Sequence, residues 1–180
     1  MMEIRIHGRG GQGSVTAAEI LAQAAFKDGK FSQAFPAFGV ERRGAPVQAF
    51  TRIADHKIRN RAQVYEPDII IVQDSTLLEV VNVFAGLKPS GVAIINTAKA
   101  PGELKIAHTA TVRTIDATKV AMDILGRPIT NTTMIGAFSG ATGAVSIDSI
   151  VTVIRERFSG KLADNNERAV REAYRQVGGK

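Results

Sequence analysis

Apolar positions alternate at a period of two in some stretches of this chain and recur at a helical period in others, and the two patterns follow one another along the sequence. Residues 3–7 set Ile4 and Ile6 against Arg5 and predict a first strand. Residues 14–27 then place Val15, Ala18, Leu21, Ala22 and Ala25 on one helical face, with Ser14 as the expected N-cap. Residues 31–35 read as a short second strand. The stretch from Pro36 to Pro46 reads as an irregular loop. Residues 47–53 alternate Val47, Ala49, Thr51 and Ile53 with Gln48, Phe50 and Arg52 as a third strand, and a further short strand is expected at 57–59. Residues 68–72 and 92–96 are almost wholly apolar, as strands buried on both faces are. A helix is expected between them over 76–85, and another strand over 111–115. From Asp116 the pattern is helical over 117–125, 131–142, 147–158 and 165–177, with Gly126-Arg127-Pro128 separating the first two. Strands alternating with helices, then a helical end, predict an α/β fold: one three-layer α/β/α domain over residues 1–180, its sheet mostly parallel and open to a mixed edge.

Composition narrows the function. At 180 residues, 44% hydrophobic and 22% charged, the chain suits one soluble globular domain. A strand within a few residues of Met1 and the absence of a long apolar run predict no signal peptide, no membrane span and a cytoplasmic protein. Zero cysteines forbid a disulfide, a thiol nucleophile and thiolate ligation of an iron–sulfur cluster. His7, His56 and His108 are scattered without metal-ligand spacing, so no metal site is expected; His7 reads as a strand-end residue bonded to the following loop. A net charge of +6 raises the question of nucleic acid. The arginines are dispersed, however, Trp is absent and aromatics are 6%, so an anionic cofactor or an acidic protein partner is preferred.

The candidate chemistry begins where the first strand meets the first helix. Gly8-Arg9-Gly10-Gly11-Gln12-Gly13 joins them, and its spacing fits the G-x-G-x-x-G dinucleotide fingerprint. Backbone N–H groups and the helix dipole make such a junction favourable for an anion. The ribose-binding acid expected about 20 residues later is missing from Lys30-Phe31-Ser32-Gln33-Ala34-Phe35-Pro36, and no Gly-Lys-Ser/Thr follows the loop. Two readings stand: a cradle for some other phosphate-bearing ligand, or a tight turn that lets helix and sheet pack. Arg9 favours the cradle, because a bare turn needs no cation. Further loops at strand ends, Gln73-Asp74-Ser75 and Asn96-Thr97, border the same expected crevice, with Asp74 and Ser75 read as caps of the next helix.

A second basic glycine loop, Phe38-Gly39-Val40-Glu41-Arg42-Arg43-Gly44-Ala45-Pro46-Val47, holds two adjacent arginines in otherwise apolar surroundings. Such arginines want a carboxylate or phosphate, and Glu41 could also supply one internally. The two loops in this order, with Thr16-Ala17-Ala18-Glu19, Glu66-Pro67-Asp68 and Pro128-Ile129-Thr130-Asn131-Thr132, resemble the gamma subunits of the 2-oxoacid:ferredoxin oxidoreductase family, of the pyruvate:ferredoxin oxidoreductase (pyruvate synthase) type. The Arg-Arg-Gly-Ala-Pro-Val form is closer to the pyruvate and branched-chain 2-ketoacid enzymes than to the 2-oxoglutarate or indolepyruvate ones. The resemblance implies a non-catalytic subunit that packs with alpha, beta and delta-type subunits and serves ferredoxin through the complex. Thiamine diphosphate and iron–sulfur clusters would then belong to partner subunits, and this chain would contribute to the coenzyme A region. Gly8, Arg9, Gly10, Gly11, Gln12, Gly13, Arg42 and Arg43 are the candidate cofactor-binding residues, with no catalytic residue expected. A free-standing dinucleotide-binding reductase is the alternative from another class.

Overall fold

The computed structural model of the chain describes residues 1–37 and 43–179. Six strands form one sheet: β1 (Met2–Arg9), β2 (Phe31–Pro36), β3 (Pro46–Ala54), β4 (Ile69–Val72), β5 (Val92–Asn96) and β6 (Thr111–Ile115), in the order β2-β3-β1-β4-β5-β6. β1, β4, β5 and β6 run parallel, and β2 and β3 add an antiparallel pair at one side. The sheet is therefore mixed, with its parallel part built from the wholly apolar segments. Among the described residues six α-helices accompany it: α1 (Ser14–Lys27), α2 (Leu77–Val80), α3 (Ala117–Leu125), α4 (Asn131–Thr142), α5 (Ile147–Arg157) and α6 (Gly160–Gln176).

One face of the sheet carries the long helices. Ile4, Ile6, Ile69, Ile71 and Ile94 pack beneath Ala17, Ala18, Leu21 and Ala25 of α1, with Met134, Ile135 and Phe138 of α4 and Ile150 and Ile154 of α5 completing this core. Short side chains on α1 bring its backbone within reach of the strands: Thr51 Oγ1 donates to Ala18 O at 3.1 Å and Ser32 Oγ to Ala22 O at 2.6 Å. On the other face Ile70, Val72, Ala93 and Ile95 lie under Leu77, Val83, Leu87 and Ala110.

The structure departs from the expected elements at three places, two of them on that second face. The helix expected over 76–85 stops at Val80, because Val81 is extended (φ −140°) and the buried Arg5 guanidinium takes the carbonyls of Val83 (3.1 Å) and Ala85 (2.5 Å). A helix would have had to compete for these acceptors. The strand expected at 57–59 is irregular chain, held instead by Arg52. This fully buried side chain donates to the carbonyls of Asn60 (3.3 Å), Ala62 (2.6 Å) and Gln63 (3.4 Å), and its Nε pairs with Glu3 at 2.7 Å. On the helical face, α6 begins at Gly160 rather than at Asn165. Within it Asn166 is buried, donates to Leu162 O (2.8 Å) and accepts from Thr132 Oγ1 (2.7 Å).

Candidate functional site

Strand direction assembles the site. The parallel strands all end at one edge of the sheet, and β3, being antiparallel to β1, starts there: Arg9 stands opposite Pro46 and Gly8 opposite Val47. The second glycine loop is thereby delivered onto the first. Gly10 N donates to Ala45 O (2.9 Å), Gly44 N donates to Gly10 O (3.0 Å), and Gly10 bridges Arg43. Two motifs some thirty residues apart in sequence thus form one rim. Arg43 stands exposed on it, whereas Arg42 lies outside the described residues. This edge is also where β1 feeds α1 on one face and β4 feeds α2 on the other, the kind of crevice in which open α/β sheets bind ligands.

Arg9 fastens the rim. Its Nε meets Asp74 Oδ2 at 3.2 Å, its Nη1 donates to Gly44 O at 3.0 Å and its Nη2 to Thr76 Oγ1 at 2.7 Å. Gln12 closes the turn by accepting from Arg9 N (2.7 Å) and donating to Asp74 Oδ2 (3.0 Å). Asp74, expected as a helix cap, does receive Thr76 N at 3.0 Å, but it also serves as the junction of these contacts. Partial burial pushes its carboxyl up; the hydrogen bonds from Thr76 and Gln12 and the Arg9 charge outweigh this and hold it below the usual carboxylate range. Arg9 and Asp74 therefore form an ion pair near neutral pH, and among the described residues the net charge of the rim comes from Arg43 and the helix ends.

The start of α1 differs from the expected Ser14 cap. Gly13 is the N-cap, in the left-handed region at φ 76°, with no side-chain cap. Ser14 is buried one position later and donates instead to Gln73 Oε1 at 3.2 Å. Close packing demands glycine at Gly8 and Gly13. A Cβ on Gly8 would lie 2.3 Å from Ser14 Oγ and 2.9 Å from Gln73 Oε1, and one on Gly13 would lie 2.5 Å from Asn131 Nδ2 in addition to the positive φ. The first α1 backbone bond is Ala17 N to Gly13 O (2.9 Å), so the amides of Ser14, Val15 and Thr16 precede the helix ladder. Asn131 opens α4 beside Gly13, and neither α1 nor α4 has an acid in its first turn. Two positive helix ends converge there, a field that favours an anion.

Beside this junction lies a polar crevice of about 330 Å³, lined by Gln73, Asp74, Asn96, Asp116, Thr118 and Thr130. Asn96 ties it together, donating to Gln73 O (2.9 Å) and Thr118 Oγ1 (3.0 Å). Asn131 and Thr130 were not singled out in the sequence as chemistry; the buried run Thr130, Asn131, Thr132 and Thr133 opening an otherwise apolar helix was the available signal.

His7 departs from its expected bond to the loop. It is buried, its Nε2 accepts from Arg5 Nε at 2.9 Å, and burial followed by the Arg5 charge lowers its pKa to about 3. It is a neutral Nδ1–H imidazole and no acid–base catalyst near neutral pH. Because the unfolded imidazole titrates near 6.5, acidification below that value loads a proton on the unfolded chain first and weakens folding, down to the folded pKa near 3. Urea unfolding at pH ~5 should give roughly 2 kcal/mol less stability than at pH ~8 from this group, and His7→Gln should lose that increment; an unchanged pH difference in the variant would refute the assignment. Among the described residues no cluster of His, Cys, Asp or Glu is arranged to hold a metal ion, and no helix is long and apolar enough to cross a membrane.

Comparison with known proteins gives this geometry its context. The family model for pyruvate ferredoxin/flavodoxin oxidoreductase matches residues 3–176. The chain is 60% identical over 177 residues to pyruvate synthase subunit PorC of Methanothermobacter marburgensis, covering 98% of each protein. It is 55% identical over 180 residues to the pyruvate/ketoisovalerate oxidoreductases common subunit gamma of Pyrococcus furiosus, covering 98% of this chain and 97% of that one. The crystal structure of pyruvate oxidoreductase subunit PORC from Thermotoga maritima superposes with a TM-score of 0.86 at 38% identity, covering 97% of this chain and 95% of that one. With sequence match and fold agreeing end to end, the chain with its joined glycine loops belongs to the pyruvate ferredoxin/flavodoxin oxidoreductase family.

Proposed function

We propose that this chain is the gamma subunit of a cytoplasmic pyruvate synthase, the complex that converts pyruvate, coenzyme A and oxidised ferredoxin to acetyl-CoA, carbon dioxide and reduced ferredoxin, and the reverse. The observation that carries the reading is the 60% identity to a pyruvate synthase subunit across 98% of both chains. Alpha, beta and delta-type subunits supply thiamine diphosphate and the iron–sulfur clusters, in keeping with a chain that contains no cysteine. The Pyrococcus furiosus relative is by name common to pyruvate and ketoisovalerate oxidoreductases. A gamma subunit of this type therefore accepts either catalytic partner, and the choice between pyruvate and a branched-chain 2-oxoacid rests outside it. A free-standing dinucleotide reductase is set aside, because both the missing ribose acid and the full-length relatives speak for a subunit.

Within the complex the chain holds the phosphates of coenzyme A. The amides of Gly11 and of Gly13 to Thr16 and the α4 N-terminus at Asn131 supply donors, Arg43 supplies charge at the rim, and Arg9 and Gln12 keep the loops in register. Coenzyme A provides the thiol that takes up the acyl group. The residues of this chain orient the cofactor and exchange no proton with it.

Anaerobic affinity purification of the tagged chain from its host, followed by mass spectrometry and pyruvate-dependent dye reduction, tests the assignment. Thiamine-binding and cluster-bearing subunits should co-purify with coenzyme A-dependent activity. Recovery of the chain alone, binding a nicotinamide nucleotide, would overturn it.

A further inference from the structure

We propose that the loop of residues 55–66, on the face of the sheet opposite the long helices, is a preorganised basic docking surface for an acidic face of another subunit, with Lys57, Arg59 and Arg61 as its charged contacts and Tyr65 as its apolar anchor. The proposal rests on the subunit reading above.

Three cations alternate along this loop, all three are exposed, and none forms an ion pair with a described residue. The acids at its two ends do not neutralise them. Asp55 is taken by Lys30, with the Met1 ammonium also acting on it, and Glu66 acts on Lys88 on the far side. Five cations on the helices of the opposite face are treated differently, while Lys161 and Arg168 of α6 are, like those of the loop, without an ion pair to a described residue. Lys27, Arg155, Arg157, Arg171 and Arg175 each sit against a carboxylate of the chain itself.

The loop is also built to hold its shape. It has no regular secondary structure, yet Arg52 grips the carbonyls of Asn60, Ala62 and Gln63 from beneath, Ala62 N donates to Asn60 Oδ1 at 2.9 Å, and Val64 is buried at 3% exposure. The backbone on both sides of Arg61 is thus held by a fourth cation that is buried, with Lys57 and Arg59 on the stretch leading into it. Left free, such a segment would spread its charges into solvent. Order here serves recognition, since a preorganised surface loses less conformational freedom on binding.

The flanking residues match an interface between proteins. Tyr65 is 70% exposed beside the basic arc, and Phe31, 47% exposed, pairs in register with Ala54 where the loop begins. Tyr and Arg are enriched where subunits meet, while a single Tyr among the three cations makes no row of stacking platforms for nucleic acid. An acidic protein surface is the partner this chemistry fits.

The test measures association of the full chain with the co-expressed remaining subunits of its enzyme between about 50 and about 300 mM NaCl. The triple reversal K57E/R59E/R61E should weaken assembly at low salt by at least about 30-fold and abolish its salt dependence, while its circular dichroism and Tm stay those of the wild type. The milder K57A/R59A/R61A should weaken it by roughly 10-fold, which keeps the test open should the reversal impair folding. Reversing two exposed cations of α6, K161E/R168E, should leave assembly unchanged. Wild-type affinity in both loop variants would overturn the proposal, as would equal losses from the α6 control or retention of a DNA duplex by the loop in place of protein. A wild-type chain that never assembles would instead remove the subunit reading and this proposal with it.

Discussion

Arg52→Ala is expected to cost the domain about 3–5 kcal/mol, the scale seen when one partner of a buried ion pair is removed, and to lower Tm by roughly 10 °C. The side chain is fully buried and faces Glu3, whose own side chain is only 19% exposed. Truncation leaves that carboxylate without its cation and three loop carbonyls without their donor, and it removes the guanidinium that lies 5.0 Å from the Phe35 ring centroid. Arg52→Lys restores the charge but not the planar fork that spans Glu3 and the carbonyls, so it should recover only part of the loss. Chemical denaturation of the three proteins at neutral pH reads the difference directly. A penalty below about 1 kcal/mol for alanine would mean that the loop over the second face is held by something other than this residue.

Arg52 also shows where the sequence was legible and where it was not. The period-two alternation of 47–53 placed Arg52 correctly on a strand and on the face away from Thr51, but the same alternation says nothing about what covers that face. Arg5 and Arg52 both reach out of the sheet to hold backbone carbonyls, and those bonds are why 57–59 is no strand and 76–85 no long helix. Elements settled by their own periodicity, such as β4, β5, α1 and α4, came through within a few residues. Elements settled by a distant side chain did not. The site follows the same division. Gly8 to Gly13 announced a turn, and the Arg-Gly-Ala-Pro run a second one, but their union at Gly10 depends on the antiparallel register of β3 on β1. Nothing local to either motif specifies that register. Ser14 looked like a cap by residue type alone; Gly13, already left-handed, took the position, and Ser14 turned inward to Gln73.

Arg9→Ala is the second large expected effect, and it acts on function rather than on the fold. Arg9 and Asp74 form an ion pair, so the rim around Gly10 to Gly13 carries little net charge from them. Removing the guanidinium frees a partly buried carboxylate next to the converging ends of α1 and α4 and deprives Gly44 of its donor. An anion bound there then meets an added negative charge as well as a looser rim. Hydrogen bonds to charged groups are worth about 1.5–3 kcal/mol, which corresponds to a loss of roughly 10- to 100-fold in affinity. Asp74→Asn combined with Arg9→Ala removes the stray charge and should recover part of it, which separates electrostatics from scaffolding. The decisive measurement is the apparent KM for coenzyme A of the assembled enzyme carrying Arg9→Ala. A rise of about 10- to 100-fold, with the KM for pyruvate and the subunit composition unchanged, is what a phosphate cradle at the joined glycine loops requires. An unchanged KM for coenzyme A in a fully assembled variant would contradict it and leave those loops as packing turns.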